Sequence, residues 1–252
     1  MNAQIVSDSR YSTAHFVTPS PFGYIHVGAD VNAPSRPGPI LRRGADKFRL
    51  ENRLKGLARQ LEQADNVAKV TVYDAIAIPP LARLPNVKDR ADSIEIPRFD
   101  VVVLVETTSP SAIPDVQATP EYHAVIDALQ TSAKRTHITT ARNAKRLGDV
   151  DKTRQGTFIF NYFVAEDPTV VLELFDYLAG WYEVEMGLDN SILLVPLEGE
   201  KSDYAAINHA RWDASLPGFA LRQFTKKSFR SYVLANLRAN HVGAMPVLYR
   251  LA

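Results

Sequence analysis

The sequence predicts an α+β protein built from two consecutive β-α-β-β-α-β units. Three observations carry this. The chain has 252 residues, long enough for one large domain or two small ones. Short alternating or β-branched runs are interleaved with longer segments whose apolar residues recur at helical spacing. The same order of elements is met twice, on either side of a polar stretch near the middle of the chain.

In the first half, residues 1–20 are a polar lead-in without periodicity. Phe22–Val31 alternates and predicts a strand. The run from Asn32 to Gly44, rich in proline and glycine, predicts a loop. Asp46 is the expected cap of a helix reaching Gln63, with Phe48, Leu50, Leu54, Leu57 and Leu61 along it. Val67–Ile78 and Phe99–Thr107 are β-branched strands, and Pro79-Pro80 ends the first of them. Pro110 to Pro120 is an expected loop. Thr119-Pro120-Glu121 opens a helix to about Thr131, since proline is tolerated in a first turn that lacks N–H partners anyway. Arg135–Ala144 is the weakest expected strand, and Lys145–Gln155 is the expected linker.

The second half repeats the order. Thr157–Ala165 is a strand, Pro168–Met186 a helix closed by Gly187, and Ser191–Leu197 and Tyr204–Asp213 are strands. Leu216–Ala239 is an expected helix and Met245–Leu251 the last strand. The expected domains are therefore a lead-in (1–20), a ferredoxin-like repeat over 21–145 and a second over 156–252. Such a unit is a four-stranded antiparallel sheet with both helices on one face. Its other face needs a partner, so two units in one chain are expected to pack together or close into a barrel.

Composition excludes several function classes. Lys and Arg number 29 against 28 Asp and Glu, a net charge of +1, which argues against a nucleic-acid partner. There is no cysteine, hence no disulfide, thiolate metal site or thiol nucleophile. No stretch approaches the ~20 apolar residues of a membrane span, and the first residues lack a signal-peptide pattern, so a cytoplasmic protein is expected. No H-E-x-x-H or H-x-x-x-H spacing occurs among the six histidines, so no metal is expected. Neither a Rossmann nor a P-loop glycine pattern nor a G-x-S-x-G elbow is present.

The stretch Ala206-Ile207-Asn208-His209-Ala210-Arg211-Trp212, followed by a helix bearing Phe219, Phe224, Phe229 and Tyr232, resembles the antibiotic biosynthesis monooxygenase family of the dimeric α/β-barrel superfamily. The resemblance covers roughly 157–252. It implies an intrachain dimeric α/β-barrel and, by analogy with cofactor-independent members, oxidation of a polycyclic phenol or hydroquinone by O2 without metal or flavin. Carried onto this chain, the family's substrate-orienting Asn and Trp are Asn208 and Trp212. The family's Tyr and Arg have no clean match. Gly218 falls where a Tyr is sought, and Tyr232 and Arg230 lie near the Arg position. Haem-degrading members carry a histidine on the second helix of the repeat, where this chain reads Ser228-Phe229-Arg230-Ser231-Tyr232.

Alternation places Asn208, Ala210 and Trp212 on one face of their strand and His209 and Arg211 on the other. Asn208 holds either a substrate oxygen or a neighbouring backbone group. Trp212 either contacts substrate or packs, and Trp181 is expected to pack. His209 is either a base near neutral pH or a hydrogen-bonded residue between the halves. Asn161 joins Asn208 only if the strand register brings them together. The candidate site is therefore catalytic Asn208 and Trp212 with Asn161, Tyr232, Arg230 and His209 binding a small aromatic ligand. A non-catalytic binding protein is the alternative, a haem-linked enzyme a weaker one, and homodimerisation through exposed sheet edges stays open.

Overall fold

The computed structural model describes residues 2–32 and 44–252. Most of the expected Asn32–Gly44 loop, residues 33–43, lies outside the described residues. The first half contains β1 (Gly23–Asp30), α1 (Ala45–Leu61), β2 (Val67–Ala77), β3 (Val101–Thr107), α2 (Ile113–Gln117), α3 (Pro120–Ser132) and β4 (Arg135–Gly148). The second contains β5 (Thr157–Val164), α4 (Pro168–Met186), β6 (Ser191–Pro196), β7 (Ala206–Trp212), α5 (Leu216–Phe224), α6 (Ala235–Ala239) and β8 (Gly243–Leu251). A π-helical turn, Phe229–Leu234, separates α5 from α6.

The strands close into one antiparallel barrel in the order β1-β3-β2-β8-β5-β7-β6-β4. Each half contributes four adjacent strands in the ferredoxin-like order, β4-β1-β3-β2 and β6-β7-β5-β8. Two seams, β2–β8 and β4–β6, join the halves, and each unites the second strand of one half with the fourth of the other. The fold is thus two tandem ferredoxin-like repeats forming an α/β-barrel within one chain.

Alternation along every strand sorts side chains into three cores. The barrel interior holds Tyr24, Tyr73, Phe158, Phe160, Tyr162 and Tyr249 among others. An eight-stranded barrel is just wide enough to be filled by side chains, and these aromatics fill it. Outside, α1 and α3 cover the first half's sheet through Leu54, Leu61, Val125 and Leu129. The second half's sheet meets α4 and the α5–α6 region through Leu174, Trp181, Phe229 and Tyr232. Trp181 is a packing residue, fully buried, and its indole N–H donates to Ser228 Oγ at 3.1 Å.

Several boundaries differ from expectation for local reasons. Gly44, not Asp46, caps α1, and Asp46 lies in its first turn, where a carboxylate complements the helix dipole. The expected loop before Pro120 contains α2, which Pro114 starts from its first turn. β4 runs on to Gly148, so the first residues of the expected linker are strand. Two register shifts, at Asn143/Lys145 and Arg146/Gly148, let β4 extend past the polar run that suggested a linker. The expected 216–239 helix is interrupted at Thr225 and Lys226 and by the π-helical turn. Thr119 and Gly187 do as expected. Thr119 Oγ1 accepts from Tyr122 N, and Gly187 takes the left-handed φ of 64° that glycine adopts without strain.

The lead-in has no regular element, yet it is tethered along its length and is not the unstructured tail the sequence suggests. Asn236 accepts from Val6 N (2.9 Å) and donates to Val6 O, and Asn240 does the same with Gln4. Ala14 N donates to Asp176 O, Val17 pairs with Arg146, and Ser20 N donates to Asn143 Oδ1. Gly180, in the middle of α4, admits this strap. A Cβ there would sit 2.0 Å from Ser12 O.

One buried charge network ties α1 to the β2–β8 seam. Lys47 Nζ lies 2.7 Å from Asp74, 3.4 Å from Asp100 and 3.9 Å from Glu51, all of them buried. Arg250 of β8 places Nε and a terminal nitrogen at 2.9 and 2.7 Å from Asp74 Oδ2, across the seam. Lys47 and then Arg250 hold the Asp74 carboxyl below its usual range against the opposing effect of burial. Removing Lys47 would leave three buried carboxylates short of a cation. The Lys47→Met substitution is expected to cost about 3–5 kcal/mol, read from urea unfolding at neutral pH. A loss below about 1 kcal/mol would show that the other cations suffice.

Candidate functional site

The helix-facing side of the second half brings together three residues that the sequence singles out. β5 and β7 pair with Asn161 directly opposite Asn208. Both face the helical layer, as do their strand neighbours Ile159, Phe163, Ala206 and Ala210. Trp212 lies four residues along β7 from Asn208 on the same face, about 13 Å away at strand rise. Its ring packs on Phe219 at 4.8 Å and lies 6.2 Å from Tyr182. Tyr232, carried by the π-helical turn, belongs to the same apolar core. Such turns often mark functional sites, because they re-aim side chains relative to an α-helix.

The polar groups here are satisfied unevenly. Asn208 Nδ2 donates to Ser191 Oγ and, at 3.2 Å, to Ile192 O. The neighbouring-group reading of Asn208 therefore describes its amide nitrogen. Asn161 Oδ1 and Trp212 Nε1, in contrast, are buried with no hydrogen-bond partner. One is an acceptor and the other a donor, and each costs about 1–3 kcal/mol if left so.

The sequence gives no sign of the strap's part in this region. Tyr11 packs its ring 4.8 Å from Tyr232, and its hydroxyl donates to Glu185 Oε1 at 2.7 Å. Nothing periodic surrounds Tyr11. Only the isolated aromatics Tyr11 and Phe16 in a polar stretch hint at a docked segment.

The remaining candidates lie elsewhere. Arg230 is exposed on the outer side of the π-helical turn and does not join the buried group, because its neighbours Phe229 and Tyr232 take the inward positions. His209 lies on the opposite face of β7, inside the barrel and fully buried. Its Nδ1 bonds Ile159 O at 3.1 Å and its Nε2 bonds Tyr73 Oη at 3.0 Å. The ring stacks on Phe160 at 4.2 Å. Across the barrel, His26 Nε2 bonds Tyr162 Oη at 3.0 Å. The two pairs cross between the halves in opposite senses, His26 of β1 to Tyr162 of β5 and Tyr73 of β2 to His209 of β7. Thus His209 joins the halves and lies on the opposite face of the sheet from Asn161, Asn208 and Trp212.

Burial holds both imidazoles neutral. His26 is lowered to about 3, first by burial and then by repulsion from His137. His209 lies well below its ordinary value for the same first reason, with Lys152 adding to it. In the unfolded chain both titrate near 6.5. Below that pH the unfolded state binds more protons, so stability falls as pH drops from about 6.5 toward 3. Between pH 6 and 5 the slope is expected to approach about 2.7 kcal/mol per pH unit for the two together. Urea midpoints measured from pH 7.5 to 4.5 read this, and His209→Gln should roughly halve the slope. A flat profile in the parent protein would contradict it.

No protein-family profile matches the chain, and no curated protein matches it. Solved structures do share its architecture. An anthrone oxidase-like protein superposes with a TM-score of 0.61 at 13% identity, covering 92% of this chain and 91% of the other. A protein of Fusobacterium nucleatum subsp. nucleatum labelled a monooxygenase gives 0.55 at 8% identity over 93% and 94%. One of Lactobacillus acidophilus with the same label gives 0.50 at 6% over 92% and 94%. No helix among the described residues is long and apolar enough to cross a membrane. The closed eight-stranded barrel, with its two halves joined in one polypeptide, is the fold this chain shares with these solved structures.

Proposed function

We propose that the helix-facing site of the second half binds a polycyclic phenol or anthrone-type substrate and that the protein is a cofactor-independent monooxygenase. The observation that carries this reading is the pair of unpartnered buried atoms, Asn161 Oδ1 and Trp212 Nε1. A phenolic O–H donates to the first, and a ring oxygen at the far side of a fused-ring system accepts from the second. The apolar surroundings suit the rings between them.

The chemistry follows from what this face lacks. His209 points into the barrel and stays neutral, so it offers no base here. The substrate must therefore supply an acidic C–H or O–H of its own. An anthrone-type methylene does so, because its carbanion is delocalised over the rings. Solvent hydroxide takes the methylene proton, the carbanion passes an electron to O2, and a C–O bond forms as the two radicals combine. The peroxide takes a proton back from water, and the hydroperoxide loses water as its O–O bond breaks. The balance is methylene plus O2 to carbonyl plus water. The Trp212 N–H stabilises negative charge on the ring oxygen as it develops. Asn208, held by Ser191, keeps β6 and β7 in place beneath the rings.

Non-catalytic binding of the same ligand class is the second reading. It is favoured by the Asn208 amide nitrogen, already satisfied within the protein, and by the absence of an identified base on this face.

The test uses thermal shift, tryptophan fluorescence and oxygen uptake with a hydroxyanthrone. Binding with quinone formation and O2 consumption of one mole per mole is the expected result. Binding without O2 uptake would establish the second reading instead. Asn161→Leu removes the unpartnered acceptor, so it is expected to raise the stability of the free protein by about 1 kcal/mol while weakening ligand binding at least tenfold. Trp212→Phe should lower turnover and leave the unfolding midpoint within about 1 kcal/mol of the parent. Unchanged binding in both variants would sink the proposal.

A further inference from the structure

A second cluster of chemically capable side chains lies away from this face, at one rim of the barrel. A ring nitrogen of His137 and one carboxylate oxygen each from Glu95 and Asp203 all lie within 4.8 Å of one another. The three come from distant parts of the chain. Glu95 sits in the segment between β2 and β3, His137 is the third residue of β4, and Asp203 precedes β7 in the other half.

The surroundings hold these groups in position. The His137 ring lies between Phe99, at 5.7 Å, and Tyr204, at 5.1 Å. Its Nδ1 has Thr139 Oγ1 at 3.3 Å. Metal-ligating histidines are oriented in this way, by aromatic walls and a hydrogen bond to one ring nitrogen. The Tyr204 hydroxyl donates to the backbone oxygen of Glu95 at 3.2 Å, so the carriers of Glu95 and Asp203 are fastened to each other. Tyr204 is buried, which makes that fastening a fixed part of the rim. Arg135 approaches Glu95 Oε1 at 3.5 Å, but it is mostly exposed and free to swing into water.

We propose that Glu95, His137 and Asp203 bind a divalent first-row transition ion, of which zinc is the best fit, and that the ion clasps the two halves of the barrel at this rim. The donor set is one imidazole nitrogen and two carboxylate oxygens. It suits zinc or manganese in preference to copper(I), which seeks thiolate or thioether, and it is richer in nitrogen than magnesium prefers. Two carboxylates and a neutral imidazole balance the double positive charge. A tetrahedral ion with ligands at about 2.0–2.1 Å sets its donor atoms about 3.4 Å apart. Closing from the present spread requires about 1.4 Å of movement, which the exposed Asp203 side chain supplies by rotation. A fourth position remains for water. No sequence spacing signals this site, since its three ligands lie 42 and 66 residues apart along the chain.

The test takes the full-length protein after EDTA treatment and dialysis. Zinc chloride is titrated in by calorimetry, with thermal shift measured in parallel and magnesium chloride as a control. One zinc per chain, a raised melting temperature and no response to magnesium are expected. His137→Gln and Asp203→Asn should each weaken zinc binding at least about tenfold. Asp203 is exposed, so its variant reports on binding even if His137→Gln unsettles the rim. No heat and no thermal shift at millimolar zinc would overturn the proposal. So would binding of undiminished affinity in both variants, since His15, His123 or His241 would then be holding the ion.

Discussion

A four-stranded sheet with both its helices on one side has an uncovered apolar face, and the whole architecture answers that one constraint. Each half covers its outer face with its own helices. Each inner face is covered by the other half, through the aromatic interior of the barrel. Closure also removes every sheet edge, which an open pair of sheets would expose to other chains. Buried polar groups inside must then be satisfied within the barrel. The two crossed pairs, His26 with Tyr162 and Tyr73 with His209, do this for His26 Nε2, His209 Nε2 and the two hydroxyls while linking the halves. Ile159 O pairs with His209 Nδ1, and His26 Nδ1 keeps no partner. Their placement takes His26 and His209 out of the pool of available acids and bases.

The division of labour between faces follows from the same closure. The interior is densely packed and crossed by hydrogen bonds, with His26 Nδ1 as an unpartnered atom of its own. The helix-facing side of the second half keeps an acceptor and a donor unpartnered, and it is roofed by the strap and by the π-helical turn. Proteins tolerate such unsatisfied groups where something else is gained, most often at binding sites. The first half has no Asn or Trp at the matching positions of β3, which reads VVVLVET throughout.

Much of the fold was legible because period-2 and period-3.6 patterns survive in the sequence. α4 is the clearest case, where proline, helical periodicity and glycine mark both ends. The faces of β7 were legible too, because alternation alone sends Asn208 and His209 in opposite directions. The register of β5 was not. Whether Asn161 meets Asn208 depends on pairing between positions 47 apart in the chain, and strand sequences do not specify that. Arg230 was misplaced because proximity in sequence to Tyr232 says nothing about side on a π-helical turn. The extent of β4 was hidden by its polar composition. Lys47, Glu51, Asp74, Asp100 and Arg250 escaped notice because isolated charges along a chain read as solvated until the fold buries them together.

The two seams differ in construction. The β2–β8 seam has the Asp74–Arg250 pair across it. Its ladder has one register shift, at Ala75/Ala77, and the β4–β6 ladder has two, each of which interrupts regular ladder bonds. The missing bonds are replaced from elsewhere. Asn143 Nδ2 donates to Leu193 O across the irregularity, and its Oδ1 accepts from Ser20 N. Val17 N and Arg146 O supply another bond, and Arg146 Nε donates to Thr18 O. The end of the strap thus acts as a splint on the β4–β6 joint. A segment without secondary structure of its own therefore fastens two distant places at once, its first residues clamped to Asn236 and Asn240 beside the helices and its last residues to Asn143 and Arg146 at a seam between the halves.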